Sequence, residues 1–179
     1  MEQAARLAKT DDPEQCMQHI LQALEINPRS LRSWFALVAE SARQGHWNQA
    51  RAHVQRALEV FPDSPYLRHS EAVLRESEGE VERQVGALLR DYPAFAPALV
   101  SMAEIEIAQK KYSIAEPRLA RAVEQDETNE KAHFVYARLA ALTGRTELAR
   151  EHLSLALHYG GASFKRMAEQ DPALRSMRP

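Results

Sequence analysis

The chain has a single cysteine, Cys16, so no internal disulfide can form and no cysteine-based zinc set is available. A reducing, cytoplasmic setting is the expectation. Long runs of like charge are also missing. The 23 basic and 25 acidic residues are interspersed to a formal net charge of −2, without the basic stripe that a nucleic-acid binder carries. No apolar stretch approaches the length of a membrane span, and residues 1–9 lack the basic-then-apolar order of a signal peptide. Neither nucleic-acid binding nor membrane insertion is therefore expected.

Catalytic signatures are equally scarce. There is no glycine-rich phosphate loop and no nucleophile elbow. The histidines, at 19, 46, 53, 69, 133, 152 and 158, include no pair at the i, i+4 spacing that would aim two ligands at one metal. Glu147 and Glu151 are four apart, but Arg145 and Arg150 lie beside them, which reads as a solvated charged face. The chain is expected to be no enzyme and to need no metal or cofactor. Its 179 residues, 45% hydrophobic, can bury a core without staples.

What the sequence does contain is a period. Proline ends a helix-like stretch at Pro28, Pro62 and Pro93, and Glu127 and Gly161 continue the series, giving spacings of 34, 31, 34 and 34. Gly45, Gly79 and Gly144 mark a second break in the middle of each period, with Lys110 in register between the last two. Small residues recur where two helices must approach closely, at Ala50, Ala115 and Ala149, with Cys16 in the same place upstream, and again at Ala23, Ala57, Ala122 and Ala156. Ile20, Val54, Leu119 and Leu153 lie one turn before the second set, so the stripe has helical spacing and no strand alternation.

Helix-start chemistry keeps the same phase. Asp12 with Pro13 and Ser64 with Pro65 read as N-cap and first helical residue, and Ser113 with Glu116 reads as a capping box that leaves Pro117 in a first turn. The second period is three residues short between Gly79 and Pro93. A tighter turn or a clipped second helix is expected there, with Val85, Leu88 and Leu89 keeping the inner face apolar.

The pattern resembles the tetratricopeptide repeat. Residues 31–64 carry the best match, through Trp34, Leu37, Gly45, Trp47, Ala50, Val54, Ala57 and Pro62; residues 130–161 and 96–127 come next, with Tyr136, Ala137 and Gly144, and with Met102, Ala103 and Tyr112. The resemblance implies an all-α, right-handed superhelical solenoid of antiparallel helix-turn-helix hairpins, about four and a half repeats plus a C-terminal capping helix. The expected division of one domain, 1–179, is a partial first hairpin at 1–29, hairpins at 30–64, 65–95, 96–128 and 129–161, and a cap at 162–179. Residues 1–9 would make an incomplete first helix. After Gly161, residues 164–169 and a turn from Asp171 to about Met177 would form a lid in which Phe164 and Met167 cover the last hairpin. The alternative is the start of a further repeat.

The resemblance also places Trp34 and Trp47 at the aromatic positions that pack one helix of a hairpin on the other, so both are expected in the core. Cys16 is expected there too, as a small hydrophobe. In this family the first helix of each hairpin lines a concave groove. In register, the groove positions are Arg32, Phe35, Ala36, Ala39 and Arg43; then Tyr66, His69, Ser70, Val73 and Glu76; then Val100, Ser101, Glu104 and Ile107; then Lys131, Phe134, Val135, Arg138 and Leu142. Phe35, Ala39 and Ser70 replace the lysine and asparagines with which some members clamp a terminal carboxylate, and Lys131 alone does not restore that clamp.

The implied function is a scaffold that binds a peptide or helix of a partner protein in the concave groove, with Phe35, Phe134 and Arg138 as first anchors. Packing of these residues against neighbouring hairpins is the competing reading. Two other functions stay open: the repeat arm of a larger enzyme or secretion component with its chemistry elsewhere, and a self-assembling homo-oligomer.

Overall fold

The computed structural model describes residues 12–75, 77–175 and 177, so the expectation for residues 1–9 lies outside the described residues. Nine helices and no strands occur among the described residues: α1 Pro13–Ile26, α2 Leu31–Arg43, α3 Trp47–Val60, α4 Pro65–Val73, α5 Glu78–Asp91, α6 Ala96–Ala108, α7 Tyr112–Gln125, α8 Glu130–Leu142 and α9 Thr146–Gln170. They fall into two compact units, α1–α4 before residue 77 and α5–α9 from it onward. Within the first, α2 packs against α1 and α3, and α3 against α4. Within the second, α6 packs against α5, α7 and α8, and α9 against α8.

Three of the four mid-period breakers act as the sequence predicts. Gly45, Lys110 and Gly144 have φ of 76°, 60° and 75° and end α2, α6 and α8. Each turn carries the same pair of bonds. At Gly45, for example, its own N–H donates to the Ala42 carbonyl at 3.0 Å and the His46 N–H to Ser41 at 2.9 Å. These reversed bonds satisfy carbonyls that the helix end leaves open. At the starts, the side chains of Asp12, Ser30, Ser64 and Asn129 accept from backbone N–H groups of the first turn.

Two local expectations are corrected. Gly79 is not the mid-repeat turn: it lies inside α5, whose cap is Ser77, with the Ser77 hydroxyl accepting from the Glu80 N–H. Acidic Glu78 and Glu80 suit the positive end of that helix, so α5 starts early and runs a full 14 residues. The missing residues fall instead on α4, which has 9 residues where α2, α6 and α8 have 13. Val85 and Leu88 are buried and Leu89 packs on the core, as expected. Second, Ser113 is no cap. The turn at Lys110 starts α7 at Tyr112 with no side-chain cap bond, which puts Pro117 beyond the first turn, inside the helix.

The core of the first unit gathers Ile20, Leu24, Trp34, Leu37, Ala57 and Leu67, with Cys16 packed against it. The Trp34 ring is buried and its Nε1–H donates to the Pro28 carbonyl at 2.9 Å, which makes an indole tolerable there. In the second unit, α6 is buried on most of its circumference because it has three helical neighbours, and its two glutamates are ion-paired, Glu104 with Lys131 and Glu106 with Arg118.

Gly161 breaks α9, with φ 60° and ψ −143°. The residues beyond it fold back as a lid, partly as expected. Phe164 meets Phe134 edge-on at 5.6 Å between ring centres, whereas Met167 is exposed, and Ala168 and Leu174 supply the remaining seal. Asp171 opens the next turn by accepting from the Ala173 N–H at 2.8 Å.

Candidate partner-binding site

The groove positions behave differently in the two units. In the first, Arg32 and Ala39 on α2 are exposed and Phe35 is half-buried against the core. Tyr66, the second residue of α4, is 53% exposed and presents its ring edge-on to Phe35 at 6.3 Å and 82°. His69 and Ser70 are half-buried, Val73 is exposed, and the Ser70 hydroxyl donates to the Tyr66 carbonyl at 3.0 Å. Arg43 is held by Glu40, whose carboxyl lies below the usual range because it accepts from Arg43. Glu76 lies outside the described residues.

In the second unit the corresponding positions are largely consumed by the fold. Val100, Ser101, Ile107, Phe134 and Val135 are buried, so Val100, Ile107 and Phe134 are core and offer no surface. Glu104 and Lys131 pair with each other at 2.8 Å. Arg138 reaches Asp171 at 3.4 Å, tying α8 to the lid. Leu142 stays exposed.

Trp47 is a correction. It is 54% exposed, at the first position of α3, just after the reversed turn at Gly45. It lines a concavity of about 780 Å³ together with Val73, Leu74, His46, Arg51 and Arg75.

A feature that residue spacing missed is a buried histidine pair. His133 and His152, 19 residues apart, bring their Nδ1 atoms to 2.9 Å, with Tyr136 stacked on His152 at 4.1 Å. His133 occupies the repeat position of Trp34 and makes the same bond, its Nε2 lying 3.0 Å from the carbonyl six residues earlier, Glu127. That acceptor requires a proton on Nε2, so in the neutral pair Nδ1 of His133 accepts and Nδ1–H of His152 donates. Burial, then the neighbouring His133, push the His152 pKa down. Register with Trp34 was the available signal that His133 would be buried.

Among the described residues, no three His, Cys, Asp or Glu side chains converge to hold a metal, and no helix is long and apolar enough to cross a membrane. The family model for the tetratricopeptide repeat matches residues 35–99 and 101–172. No curated protein sequence matches the chain. Among solved structures, TTC0263, a thermophilic tetratricopeptide protein of Thermus thermophilus, is 16% identical with a TM-score of 0.69, covering 97% of this chain and 94% of its own. PilW, a type IV pilus biogenesis factor, is 16% identical with a TM-score of 0.63 and coverage of 98% and 94%. YrrB, a tetratricopeptide protein with an unusual peptide-binding site, is 14% identical with a TM-score of 0.51 and coverage of 94% and 89%. At these identities the likeness is one of fold.

Proposed function

The chain belongs to the tetratricopeptide repeat family, and from that premise we propose that it is a protein-interaction module whose partner lies on the open face of α2 and α4. The observation that carries this is Tyr66, half out of the protein and braced edge-on by Phe35. An aromatic held by a second aromatic loses little freedom on binding, and aromatic and arginine side chains supply most hot-spot energy. Arg32 and Ala39 on the same helix as Phe35 add a charge and a shallow place for backbone to approach. A peptide or the apolar face of a partner helix suits such a surface, and YrrB, which shares the fold, has a peptide-binding site. Binding, not catalysis, is the chain's part in this reading, and its lone half-buried thiol, Cys16, is compatible with a cytoplasmic setting.

The lysine and asparagine donors of a carboxylate clamp are replaced by Phe35, Ala39 and Ser70, and the Ser70 hydroxyl is already engaged with its own helix. A C-terminal carboxylate is therefore not the feature by which this face would recognise its partner. The test is affinity capture from native lysate with the wild-type chain beside a Tyr66→Ala, Arg32→Glu variant, with circular dichroism as the folding control. A protein retained by the first and lost by the second is the expected result. Equal retention by both removes this face from the function.

A further inference from the structure

We propose a second docking site, in the concavity beside Trp47 at the far end of α4 from Tyr66, and its occupant is a partner segment with an apolar side chain flanked by carboxylates. The floor is apolar: Trp47 and Val73 are 54% and 40% exposed, with Leu74 next to Val73 at the end of α4. The rim is basic. His46, Arg51 and Arg75 line it, and among the described residues no aspartate or glutamate does. Arg51 donates to the Leu74 carbonyl at 3.2 Å and also to Asn48, so its guanidinium is pinned over the floor. Arg75 is ion-paired with Glu71 one turn earlier at 3.2 Å, the two side chains each one-third exposed, so part of its charge is already offset. A guanidinium already held in place loses less freedom when it meets an incoming carboxylate, and its planar fork suits one.

The fold itself indicates what a concavity in this place takes. In the second unit, Tyr112 holds the position of Trp47 at the start of its helix, and it is packed against the core. The next helix there, α8, runs 13 residues, whereas α4 stops after 9. Four residues are about one helical turn, and we attribute the opening at Trp47 to that absent turn. A turn of helix from another protein is of the right size to occupy it, and the positive rim selects one that carries acidic residues beside its apolar one.

The site shares Val73 with the Tyr66 face but has its own aromatic and arginines, and the experiment separates the two. Three capped peptides, each with two central leucines flanked by glutamates, by lysines or by serines, are titrated into the full isotope-labelled chain. The two tryptophan indole N–H signals are followed. Trp34, buried and bonded to Pro28, serves as the internal control for Trp47. The expected result is a saturable shift of the Trp47 signal alone, with the glutamate peptide binding at least about tenfold more tightly than the lysine peptide. Trp47→Ala abolishes that binding, judged by fluorescence anisotropy of a labelled peptide, Arg75→Glu inverts the charge preference, and Tyr66→Ala leaves both unchanged. No shift with any peptide, or equal binding of the glutamate and lysine peptides, overturns the proposal. A Trp47 signal that moves with protein concentration alone assigns the concavity to a second copy of the chain and overturns it as well.

Discussion

Phe35 and Phe134 occupy the same position of their repeats, yet one borders a half-exposed tyrosine and the other is buried under a phenylalanine. The difference lies in the elements packed beyond each helix. Beyond Phe35 comes a short helix that leaves Tyr66 and Val73 open, and beyond Phe134 comes a lid fixed by Leu174 and by the Arg138–Asp171 pair. A repeat position is thus an address, and whether that address faces solvent is set by the neighbouring hairpin. The face of the first unit keeps its aromatic surface, while that of the second has converted most of it into core and internal ion pairs.

The largest expected effect tests this contrast directly. Phe134→Ala should lower unfolding stability by about 3 to 5 kcal/mol through a cavity beneath the lid, whereas Tyr66→Ala should stay within about 0.5 kcal/mol; urea denaturation of both variants compares them. If Phe134→Ala were nearly neutral, the second unit would be an open groove after all.

Acid should expose another asymmetry. His152 is held below its ordinary value of 6.5, first by burial and then by His133. The unfolded chain takes up a proton near that value while the folded chain resists it, so stability is complete above about pH 6.5 and declines as pH falls toward the lowered folded value. His53, in the first unit, is shifted the same way by burial and by Arg56, so it adds to the decline with the same sign. In urea titrations from about pH 7.5 to about pH 5, spanning that window, His152→Phe should flatten the dependence in part, and the portion left measures what the first unit contributes.

The paired turns give a smaller contrast. Gly45 and Lys110 share a left-handed backbone, at φ 76° and 60°, but only glycine adopts it without steric cost. Gly45→Ala should cost about 1 kcal/mol and Lys110→Gly should gain up to about 1 kcal/mol in thermal or urea unfolding. Smallest of all, Arg138→Ala should cost about 1 kcal/mol or less. It should speed hydrogen exchange at the Leu174 and Arg175 amides, which bond back to Asp171.

Much of the fold was legible because its punctuation is local. Ser64 with Pro65, and Gly45 or Gly144 in a reversed turn, act through their own backbone and need no partner to be read. Ambiguity began where the same residue type could stand on either side of a boundary. The spacing from Gly79 to Pro93 shows that residues are missing, but Ser77 starts α5 ahead of the glycine and moves the deficit into α4. The groove was legible as a register and not as a surface. The apolar residues spread around most of α6 were a signal that Val100 and Ile107 would be buried, and groove register alone does not weigh it. Trp47 failed for the opposite reason: its signature position assumes a full-length helix after it. The histidine pair depends on two helices meeting, which spacing along one helix does not report.

The junction ahead of the lid restricts which residue can stand there. A methyl group on Gly160 would stand 2.1 Å from the Phe164 ring, so the ring rests where any other residue would begin its side chain. Any other residue at 160 must therefore push that ring aside, and with it the edge-on contact to Phe134 by which the lid is seated. One bare α-carbon in α9 thus sets how closely the lid can sit on α8.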